Sequence, residues 1–193
     1  MLLFDIGGVL VENVGFDKLK ALLPIKLEKK QIQEKWLDSN SVRQFELGRL
    51  SPNHFAIQFI SEWCLEISAE KFLQDFATWP KGFFPGARTL LRKLRKRNTV
   101  CCLSNSNPIH WSLFDDFDQY FDASFSSHLT GFIKPDHAAF IHVMEVLSMK
   151  PNEIHFFDDS QSNIESAIEL GINAYQVMSF QDIELNLHKN GLF

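Results

Sequence analysis

The sequence predicts an α/β protein, with a mainly parallel sheet covered by helices on both faces as a three-layer core. Two observations predict it. Short apolar runs alternate with segments of helical period, the pattern of strands buried on both faces. The chain has 193 residues, 45% of them hydrophobic and 22% charged, enough to bury such a core in one domain or a domain with a small insertion.

The first candidate strand is Met1–Phe4, followed by Asp5 and the pair Gly7 and Gly8. Residues 16–79 then break the alternation: they hold helical stretches and no convincing strand. In "SPNHFAIQFISEWCLEI", Ser51 is a candidate N-cap with Pro52 at the first helical position. In "SAEKFLQDFATW", Ser68 plays the same part, with Glu70 in the first turn. "WPKGFFPG" at 79–86 reads as the linker back to the sheet. The organisation expected is therefore a core of residues 1–15 and 80–193 and a helical insertion of residues 16–79.

Beyond the insertion, "GARTLLRKLRKRN" places Leu90, Leu91 and Leu94 on one helical face, and its basic run suits the C-terminal end of a solvated helix. Strands are expected at Thr99–Leu103, Ala123–Ser126, Ile154–Phe157 and Ala174–Val177. "DHAAFIHVMEVLS" starts at Asp136 as N-cap, and "DSQSNIESAIELG" ends on Gly171 as the C′ residue.

Composition excludes several functions. A formal net charge of −5 argues against a general nucleic-acid or anionic-membrane surface. No apolar run reaches membrane-spanning length, and no charged segment leads into one at the start. Three cysteines, Cys64, Cys101 and Cys102, lack metal-type spacing and do not make a disulfide framework, so a reducing, cytoplasmic setting is expected.

In open α/β sheets, ligands bind beyond the carboxyl ends of the strands. Asp5 follows the first strand, Ser104 and Asn105 the second; Lys134 lies in "GFIKPD"; Asp158 and Asp159 end the fourth, with Asn163 four residues on. A carboxylate can attack phosphorus, a lysine and a hydroxyl can neutralise and orient phosphoryl oxygens, and an acidic pocket can hold Mg²⁺. Gly7 and Gly8 let the backbone bend close to such a group.

These segments resemble the motifs of the haloacid dehalogenase superfamily of hydrolases: "FDIGGVLVE" the first, "VCCLSNSN" the second, "GFIKPD" the third and "FFDDSQSNIESA" the fourth. The match runs over nearly the whole chain, and four motifs in order are specific where one is not. The insertion is similar to the superfamily's helical cap. "FELGRLSPNHF" and "GFFPGARTLL" resemble the branch with α-glucose-1-phosphate-type phosphatases.

The resemblance implies a Rossmann-like core and an Mg²⁺-dependent phosphatase acting through an aspartyl-phosphate on a small phosphorylated metabolite such as a sugar phosphate; a monomer is expected. Asp5 matches the nucleophile, Ser104 the phosphate-binding hydroxyl with Asn105 beside it, and Lys134 the lysine that secures nucleophile and phosphate. Asp159 matches the main metal ligand, Asp158 its acidic neighbour, and the carbonyl of Gly7 the other contact to the metal.

One position departs from the pattern. Most phosphatases of the superfamily carry a second aspartate two residues after the nucleophile, as general acid and base; here that position is Gly7. Three readings follow. One is a phosphatase slow on poor leaving groups, or served by a water or another side chain. The second is a haloacid-type dehalogenase, which also lacks that aspartate but needs no metal and no acidic pair. The third is a weakly active or non-catalytic binding protein. His110 reads as a packing or surface residue rather than a substitute donor. Arg43, Glu46 and Arg49 lie in the cap segment that resembles a substrate-facing part of relatives; a solvated helix face is their default reading, with Arg49 the one candidate for substrate contact.

Overall fold

The computed structural model describes residues 1–193. In chain order the elements are β1 (Leu2–Phe4), β2 (Val11–Asn13), α1 (Gly15–Leu22), α2 (Lys29–Asp38), α3 (Asn40–Glu46), α4 (Pro52–Glu62), α5 (Ala69–Phe76), β3 (Pro80–Phe83) and α6 (Ala87–Leu94). Then come β4 (Val100–Ser104), α7 (Pro108–Trp111), β5 (Ala123–Ser126), α8 (Ser127–Thr130), α9 (His137–Leu147), β6 (His155–Asp158), α10 (Gln161–Glu169), β7 (Asn173–Gln176) and α11 (Phe180–Lys189).

Five strands form one parallel sheet in the order β5-β4-β1-β6-β7. Strand alternation assigns its faces. Leu2, Phe4, Val100 and Cys102 point to one side, where Leu90, Leu91, Ile183 and Leu187 of α6 and α11 cover them. Leu3, Cys101, Leu103 and Phe156 point to the other, under Phe140 and Val143 of α9 and Ile164 and Ala167 of α10. This is the expected three-layer α/β core.

The chain leaves β1 towards β4 on one side and β6 on the other, so β1 is the topological switch point. Register sets what meets there. Phe4 is level with Cys102 and with Phe157, so the next residues on β1 and β6, Asp5 and Asp158, emerge side by side.

"WPKGFFPG" is more than a linker. Pro80–Phe83 forms β3, which pairs antiparallel with β2, Val11 opposite Phe83. This two-stranded ribbon is the neck from which α1–α5 extend. Those helices enclose an apolar cluster of their own, rich in aromatic rings: Phe45 stacks on Phe55 at 4.1 Å and Phe59 on Phe72 at 5.0 Å. The expected caps form at Ser51 and Ser68, whose hydroxyls accept from the N–H of His54 and Lys71. Asp136 sits at the N-cap position of α9, but its side chain does not cap; the carboxylate pairs with Arg43 across the cleft. No helix is long and apolar enough to cross a membrane.

Candidate active site

A cavity of about 860 Å³ lies between the carboxyl edge of the sheet and the helical insertion. Asp5, Gly7, Gly8, Ser104, Asn105, Lys134 and Asp159 all line it, so the residues singled out by the sequence converge on one place.

Lys134 is the hub. Its ammonium is buried and donates to Asp5 Oδ1 at 2.7 Å and to Asp158 Oδ2 at 2.6 Å. Burial alone would lower the lysine pKa; Asp158 and then Asp5 outweigh it and raise it, so the ammonium stays charged. Asp158 is fully enclosed. Its Oδ1 accepts from the N–H of Ser160 and from Asn163 Nδ2, and its Oδ2 from Lys134 and Asn163. Four hydrogen bonds from protein donors thus fix Asp158 beside the other two carboxylates.

Asp5 and Asp159 differ from it. Burial pushes the Asp5 carboxyl upward, Lys134 opposes that, and the charges of Asp158 and Asp159 add to it. Asp159 is raised by burial first and by Asp158 second. Ligand oxygens of Asp5, Asp158 and Asp159 lie within 4.8 Å of one another. Three carboxylates against one ammonium leave excess negative charge, which a hard cation with oxygen ligands would relieve. The carbonyl of Gly7 accepts no backbone hydrogen bond, which leaves it free for the same cation.

The two glycines do different work. Gly8 has φ +80°, a conformation L side chains rarely adopt, and a Cβ there would meet Asp159 Oδ2 at 2.6 Å and displace that carboxylate. At Gly7 a Cβ would meet only Asn13 Nδ2, at 3.9 Å. The missing side chain there leaves open space.

Ser104, the last residue of β4, is buried at the cavity wall. Asn105 lines the cavity too, but both ends of its amide are committed: Nδ2 donates to the carbonyl of Lys134 at 2.8 Å, and Oδ1 accepts its N–H at 2.9 Å. Its side chain ties the loop after β4 to the loop that carries Lys134.

The insertion contributes residues that composition and spacing did not single out. Val42, Arg43 and Glu46 of α3 line the cavity, whereas Arg49 is exposed outside it. Glu46 reads from the sequence as part of a solvated face, and only the docking of α3 on the core turns it inward. His110 is a packing residue, as expected. Its Nε2 lies 2.8 Å from the carbonyl of Phe76, its ring stacks on that phenyl group, and burial lowers its pKa to about 4.

The family model of haloacid dehalogenase-like hydrolases matches residues 1–171, and the chain belongs to that family. A D-ribitol-5-phosphate phosphatase from Bacteroides thetaiotaomicron is 28% identical over 191 residues, covering 91% of this chain and 90% of the relative. A flavin mononucleotide hydrolase of Arabidopsis thaliana is 24% identical over 89% of this chain and 69% of its own length. Among solved structures, a family enzyme from B. thetaiotaomicron in complex with magnesium and inorganic phosphate superposes with a TM-score of 0.73 at 27% identity, covering 91% of this chain and 92% of that one. An L-2-haloacid dehalogenase from Xanthobacter autotrophicus shares the fold, with a TM-score of 0.64 at 20% identity over 100% of this chain and 83% of that one.

Proposed function

We propose that the protein is an Mg²⁺-dependent phosphatase that hydrolyses a small phosphorylated metabolite of polyol or sugar type. The observation that carries this reading is the cluster of Asp5, Asp158 and Asp159 around one buried ammonium at the sheet's switch point. A carbon–halogen displacement calls for one carboxylate and releases a monoanion; it gives no reason to gather three. The relatives that act on ribitol 5-phosphate and flavin mononucleotide, and the fold match to a magnesium and phosphate complex, support the same class.

In this reading Asp5, the Gly7 carbonyl and Asp159 hold Mg²⁺, which when bound neutralises phosphoryl oxygens and lets two anions meet. Asp5 attacks phosphorus and becomes the aspartyl-phosphate, which water then cleaves. Lys134, held by Asp158, which Asn163 in turn fixes, keeps the Asp5 carboxylate aimed and charged. The Ser104 hydroxyl and the Gly7 amide serve the phosphoryl oxygens; the Gly8 N–H, expected from the sequence to do so too, is taken by the Val11 carbonyl at 2.8 Å. Residues 16–79 act as a cap that closes the site and reads the rest of the substrate, with Gln33 and Trp36 of α2 and Val42, Arg43 and Glu46 of α3 on the cavity wall. The active unit in this reading is a monomer. The free thiols of Cys101 and Cys102, buried in β4, suit a reducing cytoplasm.

The test is phosphate release from a panel of phosphorylated polyols, sugars and nucleotides, with Mg²⁺ and with a chelator. Mg²⁺-dependent turnover is expected, and Asp5→Asn should lower it by roughly 10⁴-fold or more, as removal of a nucleophile does. Equal rates in Asp5→Asn, or halide release without metal, would overturn the reading.

A further inference from the structure

The site described so far has a nucleophile and no proton donor for the leaving group. The open space at Gly7 is where an aspartate would stand. Few groups lining the cavity could act in its place. Asp5 and Asp159 belong to the acidic cluster, and Lys134 is locked between two carboxylates. His110 has Nε2 turned to the Phe76 carbonyl and Nδ1 to the amide of Asn107, and it is held neutral. Lys29 is exposed at the rim, and the Arg43 guanidinium is engaged with Asp136. That leaves Glu46.

From these placements we infer that Glu46 of α3 is the general acid and base of the reaction, delivered from the insertion rather than from the turn after β1. This deepens the phosphatase reading and rests on it.

The fold fixes Glu46 at the wall of the cavity that holds Asp5 and Gly7. It is the last residue of α3, and its neighbours Val42 and Phe45 anchor that helix in the aromatic cluster of the insertion. One turn earlier, Arg43 pairs with Asp136, two residues beyond Lys134. Two residues later, Gly48, at φ +72°, packs so closely on α8 that a Cβ would come within 2.4 Å of the His128 carbonyl oxygen. Glu46 is thus held from both sides against the loops that build the site.

Its chemistry agrees with that position. Burial pushes the Glu46 carboxyl up to about 8; Lys134 pulls it down and Asp5 pushes it further up, and no hydrogen bond within the protein fixes it. A carboxyl raised in this direction suits a group that gives up and takes back a proton near neutral pH.

The steps balance. Asp5 forms a bond to phosphorus as the bond to the leaving oxygen breaks, and that oxygen takes the Glu46 proton and departs as an alcohol. The Glu46 carboxylate then takes a proton from water, whose oxygen bonds to phosphorus. The phosphorus–Asp5 bond breaks with its electron pair returning to Asp5, and phosphate leaves with Glu46 protonated again.

The experiment compares wild type, Glu46→Gln, Glu46→Asp and the double variant Glu46→Gln/Gly7→Asp. The substrates are an alkyl phosphate and p-nitrophenyl phosphate at saturating Mg²⁺, with melting curves for each protein. Glu46→Gln should lose about 10²-fold or more on the alkyl phosphate. On p-nitrophenyl phosphate, whose leaving group needs no proton, it should give a burst of one p-nitrophenol per enzyme and then stall. Glu46→Asp should keep part of the alkyl activity, and Gly7→Asp in the double variant should restore it to within about tenfold, since a side chain fits there. Equal losses on both substrates without a burst, wild-type rates in Glu46→Gln, or no rescue by Gly7→Asp would each overturn the inference while leaving the phosphatase reading standing. A wild-type protein inert on every phosphate overturns both.

Discussion

The carboxyl end of the sheet and the interior of the helical insertion are both buried, and they are built on opposite principles. At the sheet end, Asp5, Lys134 and Asp158 form a charged knot in which each group needs the others. In the insertion, Phe45, Phe55, Phe59, Phe72 and Phe76 fill space with rings and no charge. The first region is specified by strand register, which puts Asp5 beside Asp158 wherever the parallel ladder forms. The second is specified by volume, and it fixes how α3 presents Glu46 and Arg43 to the cavity. Electrostatic precision on one side of the cleft therefore depends on hydrophobic packing on the other.

The largest effect on stability should come from the charged knot. Lys134→Met removes the sole cation between Asp5 and Asp158 and leaves their carboxylates to repel one another in a dry site. Breaking a buried pair from one side typically costs about 3–5 kcal/mol. Urea unfolding at neutral pH should show a loss of that size, together with loss of phosphate release. A stability within about 1 kcal/mol of wild type would mean that the carboxylates are already neutralised by protons, and that the knot is less charged than its geometry implies.

Next is the aromatic side. Phe55 is buried and stacks on Phe45, the neighbour of Glu46. Phe55→Ala should cost about 3 kcal/mol through the cavity it leaves. Because the insertion has its own cluster, the loss should appear as faster amide exchange in α3, α4 and α5 while β1 and β4 keep their protection. Uniform acceleration across the sheet would show the two regions to be one cooperative unit.

Much of this architecture was legible in the chain. The core strands are apolar runs of the right length, and four segments with chemistry at their ends are spaced as the fold requires. The ribbon of β2 and β3 was not legible. "VEN" and "PKGF" carry too few apolar residues to announce strands, and their pairing joins residues separated by the whole insertion. Glu46 was hidden for a related reason. A glutamate one turn from an arginine reads as a solvated pair, and here Arg43 turns instead to Asp136 on the core. Asp136 in turn looked like a helix cap, because the sequence does not show which arginine will arrive. Asn105 had the right position for phosphate, but its amide is used up on the Lys134 backbone. Local patterns reveal what the backbone places; they miss what docking across the cleft redirects.

The smallest of these effects probes that docking directly. His110 belongs to the core, yet its ring stacks on Phe76 and reaches the Phe76 carbonyl in α5, so it reports whether the insertion is seated. Burial lowers its pKa to about 4 in the folded protein, against an ordinary value near 6.5. A depressed histidine stabilises the fold fully above its unfolded pKa, and that stability is lost as pH falls from about 6.5 towards 4, because only the unfolded chain then binds the proton readily. Between pH 7 and pH 5 the linkage amounts to roughly 2 kcal/mol. Wild type should therefore lose about that much more stability over the interval than His110→Gln, in which every carboxylate titrates as before and only the imidazole is gone. Equal losses in the two proteins would mean that His110 takes up a proton without unseating α5, and that the contact across the cleft is looser than the one that holds Glu46 in place.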